Sequence, residues 1–390
     1  MRIAITVLLL TWTIAASARQ PMPDYKQIGG FHVLKLIGTY QQMGEQYAQF
    51  MNPVMERQYR DVVNGFLLKH GLTEKELQVA ADQFLFGNLP WRWQQFFNGM
   101  KRSATLRPEQ LKILAAMEFE FSLLTDRASR HLADNRRGCT GFAVWNQHSA
   151  DHRLWFGRNY DFGPDLRVAA RDLTIMVLHP AGDSISTAAI GFPGAFYLTT
   201  GLNEAGIFLE LNTAAKSNPN VDRNRISAPV MLFDMLLSSP DLDHLDAWFN
   251  TVRPDAAYII TASSPRQALS WEWDLFRTVC RRPAQFGLLA ATNHFQASEW
   301  QRYRHISIPD QMDDSQVRLF HLRGQALATP QFDLETMQRL FDLPYEQGGV
   351  TFSDRTTYQI IALPAERKLW IKVPSATPWV AIDLGDWLNR

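Results

Sequence analysis

The stretch "NRRGCTGFAVW" places Cys139, one of only two cysteines in the chain, directly after a glycine and at the head of an apolar, β-branched run. A thiol there can be a nucleophile, half of a disulfide or a buried apolar side chain, and its neighbours in the fold decide which. Taking "CTGFAVW" and "RLWFGRNYDF" as the arms of a hairpin closed through 146–152, with the turn near Ser149, opposed residue numbers sum to about 298. Cys139 then faces Asn159, with Arg158 and Asp161 beside it. A guanidinium next to a thiol favours the thiolate, and a carboxylate in the same place can hold an ammonium group. Further on, "AFYLTTGL" and "IFLELNT" should pair across Asn203–Gly206, turning Ile207, Leu209 and Leu211 to one face and Phe208, Glu210 and Asn212 to the other. Asn212 is a poor strand former at a strand end, where its amide either donates to a reacting carbonyl or satisfies a loop. His148 and His152 have the i, i+4 spacing of a metal pair but fall in the hairpin loop, so they are read as solvated loop residues. No metal or cofactor is expected.

The elements that must position these residues fall into two regions. From about residue 39 to 125 the apolar period is helical. Asn52-Pro53 should break or kink the first helix, Thr73 with Glu76 forms a capping box, and Pro108 opens "PEQLKILAAMEFEFSLL". Residues 125–138 are polar and aperiodic, and read as an exposed connection. Beyond them the pattern becomes that of short strands, with helices at 228–237 and 240–250, the second capped by Ser239, and a hairpin around Pro364 to Arg367. An α+β class follows.

Composition narrows the function classes. Lys plus Arg equal Asp plus Glu at 39 each, and no basic run stands out, so nucleic acid is not an expected partner. The opening "MRIAITVLLLTWTIAASARQ" has the form of a secretory signal over 1–18 with cleavage after Ala18, or of an uncleaved anchor. No later segment is long and apolar enough to span a bilayer. Export to a periplasm or the exterior makes a Cys139–Cys280 disulfide the first alternative to weigh. The chain lacks N-x-[ST], G-x-S-x-G, H-E-x-x-H, C-x-x-C and P-loop signatures.

Several short motifs occur in one order: Gly138-Cys139-Thr140, "GRNYDF", "GFPGAFYLTTGLNEAGIFLELN" and "ATNHF" at 291–295. In this the chain resembles the cysteine N-terminal-nucleophile hydrolases, which include the choloylglycine hydrolases, the acid ceramidase group and the penicillin acyltransferase-like peptidases. The last of these is also similar in its pro-segment to "LIGTYQQMGEQYAQFM". The resemblance spans about 35 to 375 and implies a four-layer αββα sandwich with the nucleophile opening the first core strand. It implies that the precursor cuts itself before Cys139, dividing 19–138, a helical small chain, from the catalytic 139–390. By motif, Arg158 and Asp161 flank the nucleophile, Asn212 supplies the oxyanion donor and Asn293 lines the site. An arginine downstream completes it, Arg302 by spacing, with Arg304 as the alternative.

An N-terminal cysteine carries its own base, since an α-amino group titrates near pH ~7.7–8.0, whereas an internal cysteine needs a histidine. His131, His148, His152 and His294 are available, but no spacing singles one out. The expectation is therefore an exported, self-processing amidohydrolase acting on a small-molecule N-acyl amide, its cleaved N-terminal segment remaining as a heterodimer partner. The alternatives are an acyltransferase or phospholipase B-like esterase of the same fold, and a non-catalytic binding protein stapled by Cys139–Cys280.

Overall fold

A computed structural model describes residues 22–129, 138–162, 164–182, 184–283, 287–307, 313–374 and 376–389. The expected leader at 1–18, His131 and most of the expected connection lie outside them. The helix that opens at Pro108 runs to Ser129, four residues past the start of that connection.

The described chain begins with a hairpin that the helical reading of this segment omits. Strands β1 (Asp24–Ile28) and β2 (Phe31–Gly38) meet at Gly29 and Gly30, whose φ of 57° and 98° supply the left-handed pair that a two-residue turn demands. Helices follow at Tyr40–Gln58, Glu74–Ala81, Trp91–Ser103 and Pro108–Ser129, the first two opened by capping boxes at Thr39 and Thr73. Pro53 does not break the first helix as expected. The carbonyl that loses its donor belongs to Gln49, an exposed residue, and Asn52 ties the turn to the end of the Trp91–Ser103 helix by donating to the Ser103 carbonyl at 2.9 Å.

The body contributes β3 (Gly138–Val144), β4 (Trp155–Asp161), β5 (Thr174–Pro180), β6 (Thr187–Gly191), β7 (Thr200–Asn203), β8 (Phe208–Thr213), β9 (Tyr258–Ser263) and β10 (Ala268–Trp273). It continues with β11 (Thr278–Arg281), β12 (Leu288–Ala291), β13 (Thr356–Leu363), β14 (Lys368–Lys372) and β15 (Val380–Asp383). Among the described residues these form a nine-stranded sheet, β1-β2-β5-β6-β7-β8-β9-β10-β11, and a six-stranded sheet, β12-β3-β4-β13-β14-β15. The sheets face each other where β3 meets β8, and Phe156 packs on Phe208 with ring centroids 4.9 Å apart. Helices Ala228–Ser238 and Leu242–Thr251 cover the larger sheet, and Asp314–Ala328 and Leu334–Asp342 cover the smaller. The layering is the four-layer αββα order expected. The Leu242–Thr251 helix is capped by Asp241, whose side chain accepts from His244 N–H at 2.9 Å, and not by Ser239. Ser239 is buried, its carbonyl taken by Asn203 at 2.8 Å.

The N-terminal segment is part of this body. β2 pairs in parallel with β5, Arg57 bonds Asp172 through Nε at 3.1 Å, Trp93 Nε1 donates to Asp234 at 2.9 Å, and Tyr47 Oη accepts from Gly194 N–H at 2.7 Å.

Candidate active site around Cys139

The hairpin carrying the thiol forms, with its register one residue away from that expected. Cys139 lies opposite Tyr160, Gly141 opposite Arg158, and Gly138 opposite Asp161. Because side chains alternate, this slip exchanges faces: Arg158 and Tyr160 share the face of Cys139, while Asn159 and Asp161 take the other. The cause is the connection, where a 3-10 turn at Asn146–His148 and left-handed φ at Asn146 and His152 shift the point of reversal.

The backbone of Cys139 is held on both sides. Its N–H donates to Asn293 Oδ1 at 2.8 Å, and its carbonyl accepts from Arg318 Nη1 at 2.6 Å. Arg318 also reaches Thr140 Oγ1 (2.7 Å) and, through Nη2, the same Asn293 oxygen (2.8 Å). Asn293 is fixed in turn, donating from Nδ2 to the Thr213 carbonyl at the end of β8 and from its N–H to Ser315 Oγ, both at 2.8 Å. Gly138 has no room for a side chain, since a Cβ would stand 2.5 Å from Arg318 Nη2.

The thiol, 5% exposed, sees a different set of groups. Arg158 Nη2 lies 3.9 Å from Sγ, and Sγ lies 3.9 Å from the Asp161 carbonyl oxygen. Arg158 is itself fully buried, donating to the carbonyls of Thr199 (2.6 Å) and Leu211 (3.0 Å), lying over the Tyr160 ring, and standing 3.7 Å from Glu210. Gly141 makes that arrangement fit, because a Cβ there would meet Glu210 Oε1 at 1.9 Å. Burial pushes the thiol up to about 12 against the pull of Arg158, so in this structure it is protonated. Burial likewise raises Asp161 and Glu210 to about 7. Asp161 Oδ1 accepts from Thr356 Oγ1 at 2.6 Å, and its Oδ2 is buried without a hydrogen-bond partner among the described residues.

These buried acids fix a pH dependence. Glu210 and Asp161 at about 7, with Asp234 and Asp255 at about 6, all sit above their ordinary values because burial disfavours the anion. Each contributes stability that is full below its ordinary value and is lost as pH rises through its folded value. His294, pushed down to about 4 by burial, works oppositely over pH 6.5 to 4, but it is one group against four. The melting temperature is expected to fall between about pH 5 and pH 8, and Glu210→Gln to flatten the curve by about 1–2 kcal/mol in calorimetry across that range.

Of the expected site residues, Cys139, Arg158, Asp161 and Asn293 come together as described. Asn212 lies on β8 one residue before the Thr213 carbonyl that Asn293 holds, and donates from Nδ2 to Glu210 Oε1 at 3.1 Å. Arg302 does not reach the site, nor does Arg304. Both are exposed, because the short 3-10 turn Ser298–Arg302 buries Trp300, whose Nε1 bonds Glu272 at 2.5 Å, and turns Arg302 outward. The arginine in that place is Arg318. Its signal in the sequence was an arginine beside the apolar stripe Leu319, Leu322 and Ala326 of a helix capped by Asp313. Glu210 was the other residue missed. The disulfide is corrected as well: Cys139 and Cys280 are both free, on β3 of the smaller sheet and β11 of the larger. His148 and His152 build no metal site, and no group of three metal-binding side chains occurs among the described residues.

The thiol opens on a cavity of about 200 Å³. Its walls come from both regions, with Phe84, Glu118 and Phe119 from the N-terminal segment and Tyr160, Leu211 and Tyr258 among those from the body. Glu118 is held in place by hydroxyl donors, from Tyr160 to Oε1 and from Tyr197 to Oε2 at 3.0 Å.

No protein-family model and no curated protein matches the sequence. Among solved structures, the chain is similar to an ortholog of N-acylethanolamine-hydrolyzing acid amidase from Caenorhabditis elegans, at 13% identity and a TM-score of 0.41, over 58% of this chain and 93% of that one. It is similar to a mutant conjugated bile acid hydrolase from Clostridium perfringens, at 12% identity and a TM-score of 0.45, over 64% and 93%. It is also similar to penicillin V acylase from Agrobacterium tumefaciens, at 13% identity and a TM-score of 0.40, over 65% and 88%.

Proposed function

We propose that the chain is an exported, self-processing cysteine amidohydrolase of the N-terminal-nucleophile type, acting on a linear, non-peptide C–N bond. The observation that carries this reading is the two-sided clamp on Cys139. Its nitrogen rests on Asn293 Oδ1 and its carbonyl on Arg318, while its thiol faces Arg158 and a cavity. Any buried backbone N–H needs an acceptor, but here the acceptor is a side-chain amide, itself fixed by Arg318 and the Thr213 carbonyl, which would still hold the nitrogen once it became a free amine.

In the processing step Sγ adds to the Gly138 carbonyl carbon, and the thiol proton passes to the departing Cys139 nitrogen. A thioester forms, and water hydrolyses it to a Gly138 carboxyl group and a free α-amine on Cys139. In turnover that amine takes the thiol proton, the thiolate attacks the substrate carbonyl, and the proton goes on to the leaving amine. Water then releases the acid from the thioester. Asn293 Oδ1 keeps the amine oriented throughout, and Arg158 favours the thiolate. The oxyanion falls to Asn212: with Glu210 protonated, the Asn212 amide can turn, accept from Glu210 and direct Nδ2 to the developing charge. The small chain stays docked because it supplies β1 and β2 to the larger sheet.

Intact mass and N-terminal sequencing of the purified protein test the reading. A second terminus beginning "CTGF" is expected, and a fully active chain still joined across Gly138 refutes it. The thiol gives a second measurement. In the uncut chain Cys139 should react with iodoacetamide at least ~100-fold more slowly at about pH 8 than in the same chain denatured, because its thiolate is suppressed. Peptide mass spectrometry reads this, and processing should raise the rate.

A further inference from the structure

The cavity beside the thiol offers a shape and no free charge. Each acid in its walls is engaged or turned aside: Glu118 accepts from the hydroxyls of Tyr160 and Tyr197, Asp255 accepts from Ala228 N–H at 2.9 Å, and the Asp161 side chain takes the strand face opposite the thiol. Two guanidinium groups lie over rings of the lining, Arg158 over Tyr160 at 5.2 Å and Arg223 over Phe84 at 4.1 Å. The remaining wall is mainly apolar, built from Phe84, Phe119, Phe162, Leu211, Val221 and Ala257. The space of about 200 Å³ is small. An apolar cavity of about 150 Å³ holds one benzene ring, and 200 Å³ corresponds to about seven water-sized groups. One wall comes from the segment before the scission point. Phe84, on the turn Asp82–Phe86, and Phe119, on the Pro108–Ser129 helix, stack with centroids 6.0 Å and planes 7° apart. Each ring is held by a residue of the body, Phe119 by Tyr197 at 5.1 Å and Phe84 by Arg223.

The chemistry decides which half of an amide enters. The acyl half stays bonded to Sγ through both steps, whereas the amine must depart before water can reach the thioester. A confined space beside Sγ therefore suits the acyl half. We propose that the enzyme selects amides of short, uncharged, apolar acyl groups, of about six to eight carbon atoms or one phenyl ring, with Phe84 and Phe119 setting the upper limit. This deepens the hydrolase reading above and rests on it. The small chain thereby fixes the specificity of a nucleophile carried by the large one.

The test is a length series on the processed wild-type protein, using N-ethyl amides of acetic, hexanoic, octanoic, dodecanoic and phenylacetic acids below their micelle concentrations. The N-ethyl amide of 6-aminohexanoic acid and the mono-N-ethyl amide of adipic acid place a charge of either sign at the far end. From acetyl to hexanoyl, kcat/KM is expected to rise about three-fold per methylene, and from octanoyl to dodecanoyl to fall by about ten-fold or more. Phenylacetyl should exceed acetyl by about ten-fold or more, and both charged amides should trail hexanoyl by as much. Phe119→Ala and Phe84→Ala should each raise the dodecanoyl-to-hexanoyl ratio by about ten-fold. Phe119→Leu, a milder change, reads the same ratio where an alanine variant is not cut. A dodecanoyl amide turned over as fast as the octanoyl one, or an acetyl or charged amide as fast as the hexanoyl one, overturns the proposal and leaves the hydrolase reading standing. So does a processed protein inert to the whole series, or a ratio unmoved in the variants. A protein that forms no Cys139 terminus overturns the hydrolase reading, and this proposal with it.

Discussion

Cys139→Ala is expected to remain one uncut chain and to lose at least ~10⁴-fold in amide turnover, the scale on which removal of a covalent nucleophile acts. The fold should survive it. The thiol contributes one buried sulfur to the core, and its two polar contacts among the described residues are long, each at 3.9 Å, so its loss costs about 1 kcal/mol. The backbone clamp is untouched, because Asn293 and Arg318 bind the nitrogen and carbonyl of residue 139 and not its side chain. Cys139→Ser keeps a nucleophile of higher pKa on the same clamp, and should process slowly where the alanine variant does not process at all. Gel mobility over time separates the two, and a calorimetric melt shows both folded. Processing or turnover by Cys139→Ala at the wild-type rate would remove the thiol from the mechanism.

The hairpin arms, the Thr73 capping box and the passage from helices to strands were legible because they rest on local patterns: period-two alternation, Thr-x-x-Glu spacing and the change of period after residue 138; the four-layer order came from the family resemblance. The register was legible only to within one residue, since the shape of the turn depends on φ at Asn146 and His152, which composition does not fix. That single step decided whether Arg158 or Asn159 shares a face with the thiol. Arg318 was hidden for another reason. Its reach to Cys139 depends on how the Asp314–Ala328 helix lies on the smaller sheet, a tertiary fact, whereas Arg302 is nearer Asn293 along the chain and was displaced by the burial of Trp300. Gly29-Gly30 between alternating runs was a readable hairpin signal, and its consequence reaches furthest. A segment expected as a helical appendage is woven into the larger sheet, which is why scission before Cys139 need not release it.

Arg158→Met carries the largest expected cost in stability, about 3–5 kcal/mol at neutral pH, the range for breaking a buried ion pair from one side. The guanidinium satisfies two buried carbonyls, Thr199 and Leu211, and offsets the charge of Glu210, and methionine replaces none of these contacts. Part of the penalty should depend on pH. Arg158 pulls Glu210 down from where burial alone would put it, so without the arginine the acid stays protonated to higher pH. Below about 7 the wild-type acid is itself largely neutral, and the variant loses mainly the two carbonyl bonds. Above that value the wild type gains an ion pair that the variant cannot form, so the gap between the two widens as pH rises, by up to 1.36 kcal/mol, approximately, per pH unit. Arg158→Met/Glu210→Gln removes the titrating partner and should hold the gap to Glu210→Gln constant from about pH 5 to pH 8. Urea denaturation of the four proteins at both pH values measures the coupling. A gap between wild type and Arg158→Met that does not change with pH, together with a wild type whose stability relative to Glu210→Gln is also flat, would mean that Glu210 is ionised throughout, and Asn212 could then not turn its amide as the oxyanion donor requires.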